Sequence, residues 1–190
     1  MKKLHLSYLY LLLFVFLAAG CSQPKPRKPI SVKTGSFMST SIERNKALLT
    51  HEEAIIDSII AKDTLNHYHS SPNGYSYYFN KLDSTNNYHP KEGDVVKINY
   101  DIRTLSNQTI YSSEEIGEVT FKVDKEDYFP GLRTAVKLLS EGETATFLFP
   151  SSLAYGYHGD DHRIGTNQTI KSTIHIIEIV QKSTDSLTAN

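Results

Sequence analysis

The chain has 190 residues, 39% of them hydrophobic, and its 20 Lys and Arg against 21 Asp and Glu leave a formal net charge of -1. Basic and acidic residues are interspersed, so the chain lacks the basic stripe with which nucleic-acid-binding proteins neutralise phosphates, and no nucleic-acid partner is implied. Cys21 is the single cysteine, which excludes an internal disulfide; stability must come from a packed core, and the length suits one domain of ordinary size with appendages.

Lys2 and Lys3 precede an apolar run from Leu4 to Leu17. A membrane-spanning helix needs about 20 residues, so this run is too short to span and reads as a secretory signal over residues 1–20. Its end, Leu17-Ala18-Ala19-Gly20-Cys21, resembles the bacterial lipobox, which implies that Cys21 is lipidated and becomes the new amino terminus. Each buried methylene of such an anchor contributes about 0.8 kcal/mol, and more than one acyl chain makes the membrane a stable partner. Ser22 is not the aspartate associated with inner-membrane retention, and no acidic run follows to suggest surface export. The expected location is the outer membrane, facing the periplasm.

Residues 21–49 read as the lipidated tether. From Ser22 to Ser41 the chain is polar, holds Pro24, Pro26 and Pro29, and carries Lys25, Arg27, Lys28 and Lys33 with no acidic residue, a composition that favours an extended linker. A helix and its connector are expected over residues 50–74. Thr50-His51-Glu52-Glu53 offers a capping box, and Ile55, Ile56, Ile59 and Ile60 recur at helical spacing up to Lys62-Asp63. That apolar stripe has to be covered, by the following domain or by a second copy, because a short helix alone is marginal in water.

The domain proper is expected over residues 75–182, with 183–190 as a tail. Strands are predicted at Tyr75 to Asn80, Val95 to Ile102, Val119 to Val123, Thr144 to Phe149 and Thr169 to Val180, each bounded by turn residues such as Lys91-Glu92-Gly93-Asp94. Leu132, Val136 and Leu139 mark a short helix entered at Pro130 and closed near Gly142, and Ser151 to Gln168 reads as one large loop. Many strands around one central helix define an α+β domain whose antiparallel sheet wraps that helix.

The run from Gly93 to Tyr100, Ile110-Tyr111-Ser112-Ser113, Phe129-Pro130-Gly131-Leu132, Leu139 to Glu143, Pro150-Ser151-Ser152-Leu153-Ala154-Tyr155-Gly156 and Ile164 to Asn167 resemble, in order and spacing, the successive signatures of FKBP-type peptidyl-prolyl cis-trans isomerases. With the lipobox and the preceding helix, the whole chain is similar to the FKBP-type lipoproteins associated with bacterial gliding motility. The resemblance implies an FKBP-like half-barrel and an enzyme that rotates the bond before proline, with proline-containing unfolded or partly folded proteins as partners. It implies no cofactor and no metal. The rotation faces a barrier of about 18–20 kcal/mol from amide resonance. No nucleophile is required: an apolar pocket that takes the carbonyl out of water and offers a few placed donors favours the twisted amide.

By the same resemblance Tyr155 and Phe129 are the catalytic positions, the tyrosine hydroxyl and the Phe129 amide donating to substrate carbonyls. The pocket walls are Tyr100, Ile110, Val119, Tyr128, Leu132 and Ser172. This chain departs from the family in placing Ile110 and Ser172 where aromatics are usual, Tyr111 where an aspartate is usual, and Leu132 at the common tryptophan floor. These departures thin the pocket's aromatic area and favour the rival reading, a non-catalytic chaperone or assembly subunit of a secretion or gliding-motility machine. His158, Asp160, Asp161 and His162 cluster in the long loop, where a solvated flap explains them better than a metal, since a flexible loop has no preformed geometry. His175, between Ile174 and Ile176, reads as an outward strand residue.

Overall fold

The computed structural model describes residues 34–83 and 85–182, with side chains from residue 38 onward. The expected signal, Cys21, the tether up to residue 33 and the tail from residue 183 lie outside the described residues. Met1–Thr40 and Ser41–Asn190 are separate compact units; the described part of the first, 34–40, is helical.

Helix α1 runs from Thr34 to Lys62, so it begins well before the capping box expected at Thr50. Thr50 is an exposed mid-helix residue. The correction has a simple cause: residues 38–49 contain no proline or glycine and include Met38, Glu43, Arg44, Lys46, Ala47, Leu48 and Leu49, all strong helix formers. Once nucleated, a helix extends through such a segment at little cost, and a local capping signal does not interrupt it. The expected apolar stripe is used in part. Ile56 is 3% exposed and Ile59 and Ile60 are half-buried, whereas Ile55 stays 39% exposed.

The sheet comprises β1 (His69–Ser70), β2 (Ser76–Lys81), β3 (Val95–Tyr100), β4 (Ile102–Arg103), β5 (Thr109–Tyr111), β6 (Val119–Lys122), β7 (Thr144–Phe149) and β8 (Ile170–Val180). The main path is β1-β2-β7-β8-β3-β6, with every pair antiparallel and with β4 joining β5 to β8. Helix α2 (Ser113–Ile116) follows β5, and α3 (Pro130–Ala135) continues as a 3-10 turn over Val136–Leu138. The long strands and α3 lie where the hydrophobic pattern predicts them. The additional elements β1, β5 and α2 have two to four residues, too few to show a period.

The expected strand from Val95 to Ile102 is broken at Asp101. There the chain buries Tyr100, Asp101 and Ile102 in succession, because the Asp101 carboxylate accepts the Thr173 amide at 2.9 Å and suspends the alternation. On β8, residues Ile170, Ser172, Ile174 and Ile176 face inward until a register step opposite Lys97 and Ile98 leaves Ile177 as an extra residue. Beyond that bulge it is Ile179 that packs on the core. Bulges bend a strand and increase its twist, which is what lets the sheet curve around α3.

Leu132, Ala135, Val136 and Leu139 are wholly buried against the curved sheet, together with Phe147 and Phe149 of β7. Each large side chain sealed this way contributes about 1.5–3 kcal/mol. The α3 backbone comes closest at Gly131, where a Cβ would lie 2.6 Å from the Phe149 ring and 2.8 Å from the Leu153 carbonyl oxygen. Only glycine fits. Gly131→Ala should therefore destabilise the domain by about 1–3 kcal/mol, the usual cost of overpacking, visible as a lower midpoint in chemical denaturation with an unchanged slope.

Candidate functional site

Phe129 caps α3 with extended backbone (φ -58°, ψ 145°), and Pro130 at the first helical position has its φ already set for the helix. This fixes the Phe129 ring at the helix mouth. It lies 5.7 Å from Phe149 edge-on, 6.4 Å from Tyr100 and 5.4 Å from the Tyr155 ring. Tyr128 turns to Phe121, 4.5 Å between centroids. Ile110 from β5 and Val119 from β6 are half-buried and pack on the same core cluster. The fold thus gathers Tyr100, Ile110, Val119, Tyr128, Phe129 and Tyr155 from five separate stretches of chain.

Leu132 and Ser172 stand differently from the rest. Neither has any exposed surface, so neither lines an open wall. The Ser172 hydroxyl donates to the Asp101 carbonyl at 2.7 Å, which satisfies a buried polar group at the strand break. Ile164, 3% exposed in the same cluster, was not among the expected wall residues. It was visible in the sequence only as part of the Ile164 to Asn167 motif.

Two donors remain free at this aromatic cluster. Among the described residues neither the Tyr155 hydroxyl nor the Phe129 amide has a hydrogen-bond acceptor. Burial pushes the Tyr155 phenol well above its ordinary value, and the nearby Tyr100, Asp160 and Tyr111 act in the same direction. Its proton is therefore kept throughout the physiological range. A protonated, unpaired hydroxyl beside an aromatic wall can hydrogen-bond a carbonyl that has left water.

Tyr111 reaches across to the long loop and donates its hydroxyl to the Asp160 carboxylate. The other Asp160 oxygen accepts the amides of His162 (3.0 Å), Arg163 (2.9 Å) and Ile164 (2.7 Å). Arg163 lies over the Tyr111 ring at 4.8 Å, pairs with Glu115 and donates to the Ile110 carbonyl. The Arg163 and Glu115 side chains are 52% and 45% exposed, so their ion pair adds only about 0–1 kcal/mol. The neutral and amide donors on Asp160 order the loop. Among the described residues no group of three or more His, Cys, Asp or Glu is arranged to hold a metal ion. His175 is half-buried beside Thr144, its Nδ1 3.0 Å from the Glu143 carbonyl oxygen.

An antiparallel sheet curved around a short helix, with an aromatic cluster at that helix's mouth and a tyrosine-bearing loop beside it, defines an FKBP-like fold. This chain matches, over residues 86–177, the sequence model of the FKBP-type peptidyl-prolyl cis-trans isomerase family. It is similar to the probable FKBP-type peptidyl-prolyl cis-trans isomerase FkpA of Neisseria meningitidis serogroup B, 35% identical over 47% of this chain and 33% of the relative. It is also similar to the outer membrane protein MIP of Legionella longbeachae, 32% identical over 57% of this chain and 45% of the relative. The chain thus spans less than half the length of these curated relatives. A crystal structure of a peptidyl-prolyl cis-trans isomerase from Pseudomonas syringae pv. tomato shares the fold, with a TM-score of 0.55 at 17% identity, covering 72% of this chain and 96% of that one.

The loop's anchoring carboxylate gives a pH prediction. Burial of Asp160 disfavours its charge, but the Tyr111 hydroxyl and the three amides outweigh this and hold its pKa at about 2. The folded value lies below the ordinary aspartate value of about 3.9, so the stabilisation is complete above that pH and is lost as pH falls through about 2. NMR titration of the Asp160 carboxyl carbon should give that low midpoint, and Tyr111→Phe should move it upward.

Proposed function

We propose that this chain is a lipid-anchored peptidyl-prolyl cis-trans isomerase that assists protein folding in the bacterial cell envelope. The observation that carries the reading is the unpaired Tyr155 hydroxyl above the recess formed by Phe129 and Tyr100. A proline ring entering the recess is held by Phe129, Tyr100, Tyr128, Ile110 and Val119. The carbonyl before the proline loses its water there, which weakens the amide resonance that resists rotation. Tyr155 and the Phe129 amide then donate to carbonyls of the twisted peptide, an interaction stronger in the transition state than in either planar form. Leu132 and Ser172 set the depth of the recess from behind.

The family match and the relatives' names support the activity. The lipobox at Cys21 and the outer membrane protein among the relatives support anchoring in the outer membrane with the domain facing the periplasm. Among the described residues no helix is long and apolar enough to cross a membrane. The finer reading places the chain with the gliding-motility-associated lipoproteins, whose partners include components of an envelope secretion or motility machine. It rests on the combination of lipobox, helix and domain in one short chain. The intact Phe129-Pro130-Gly131 turn and Tyr155 loop weigh against a purely passive chaperone.

Tyr155→Phe keeps the ring and deletes one donor, so in a protease-coupled assay on a proline tetrapeptide it should slow isomerisation by about tenfold, since one neutral hydrogen bond is worth about 0.5–1.5 kcal/mol. Phe129→Ala should do more. It also opens the core at a cost of about 3–5 kcal/mol, so thermal melts must accompany the assay. A wild-type chain with no rate above the uncatalysed one would end the isomerase reading. The anchor is tested separately: fatty-acid labelling of cells should mark the wild-type chain and not Cys21→Ser.

A further inference from the structure

Glu52 is an ionisable residue on the face of α1 that docks on the domain, in line with Leu48, Ile56 and Ile59, and it is only 4% exposed. Burying a carboxylate among apolar neighbours is costly unless donors surround it, and packing alone would be met there by another leucine. Its donors come from one residue 99 positions away. The Ser151 amide donates to Oε2 at 2.9 Å and the Ser151 hydroxyl to Oε1 at 2.6 Å.

Ser151 opens the loop that carries Tyr155, and its carbonyl completes a short relay. That oxygen accepts the amide of Ala154 at 3.0 Å and the amide of Gly156 at 2.9 Å, the residues on either side of Tyr155. One side of Ser151 is thus fixed by Glu52 while the other fixes the backbone that aims the tyrosine. We infer that Glu52 is a positioning residue for the Tyr155 loop, through which helix α1 becomes a working part of the isomerase site. The catalytic part of this inference rests on the isomerase reading; the loop-holding part does not.

The test uses the full chain purified in mild detergent. Glu52→Ala should lower kcat/KM on a proline tetrapeptide by about tenfold, the scale of a lost hydrogen-bond contact, with the loss in kcat and KM little changed. Glu52→Gln, which can still bridge both groups of Ser151, should retain most of the activity, and Glu53→Ala, one residue away and exposed, should leave it unchanged. The deciding measurement is a double-mutant cycle: in a Tyr155→Phe background Glu52→Ala should add less than about twofold. Hydrogen exchange at the Ala154 and Gly156 amides should accelerate in Glu52→Ala while β7 stays protected. A full tenfold loss in the Tyr155→Phe background, or unchanged exchange at those amides, would overturn the inference. If the wild-type chain shows no isomerase activity, that reading alone fails, and the exchange data still decide whether Glu52 holds the loop. Should Glu52→Ala not fold, Ser151→Ala, which removes one of the two bonds, carries the same comparisons.

Discussion

The contact on which most of this domain depends is the approach of the α3 backbone to β7 at Gly131. It presses the helix start onto the Phe149 ring and the Leu153 carbonyl, so one glycine joins the helix, the central strand and the loop that follows it. Because protein interiors pack at crystal-like density, this contact transmits position directly. Phe129 is held at the recess by its place two residues before Gly131, and Tyr155 by its place two residues after Leu153. Core and site are built from the same few contacts.

With no disulfide available in the folded part, the irregular segments are tied by buried or half-buried carboxylates that accept backbone amides. Asp94 accepts the amides of Lys91 and Lys182, each at 2.8 Å, and the Tyr88 hydroxyl at 2.7 Å, which fastens the start of β3 to the end of β8. Gly93, at φ +91°, makes the turn that brings Lys91 back to Asp94. Glu143 joins the connection after β2 to the turn before β7 through the Asp83 and Ser140 amides. Glu52 and Asp160 do the same for the two ends of the long loop. Charge-assisted hydrogen bonds of this kind are the stronger ones, and at buried positions they leave few orphaned amides.

Polar contacts at the edge of the aromatic cluster also fall into a pattern. Tyr111 donates to Asp160, which ties β5 to the long loop. The Ser172 hydroxyl satisfies the carbonyl at the strand break of Asp101. The cluster is thereby held at its rim by these two contacts. Its shape depends on polar contacts at the edge as much as on aromatic packing within.

The long strands and α3 were legible in the sequence because alternation and helical spacing report which face of an element is buried, and that is a local property. The order of the motifs likewise pointed to Tyr155, Phe129, Tyr100 and Tyr128, which the fold brings together. Local pattern failed where the decisive partner is distant. The start of α1 was misplaced at Thr50 because a capping box is a local signal, whereas the helix continues through any unbroken run of good formers. Glu52 looked like part of that cap, and only docking against Ser151 shows it as a buried tie. Asp160 and Asp161 looked alike in one polar loop, and only the fold brings Asp160 to Tyr111. The sequence by itself determined the composition of the core and the class of the fold. Which carboxylates are buried, which wall residues are sealed, and how the tyrosine loop is held were decided by tertiary structure, because hydrogen bonds between residues 49 and 99 positions apart exist only after the chain has closed.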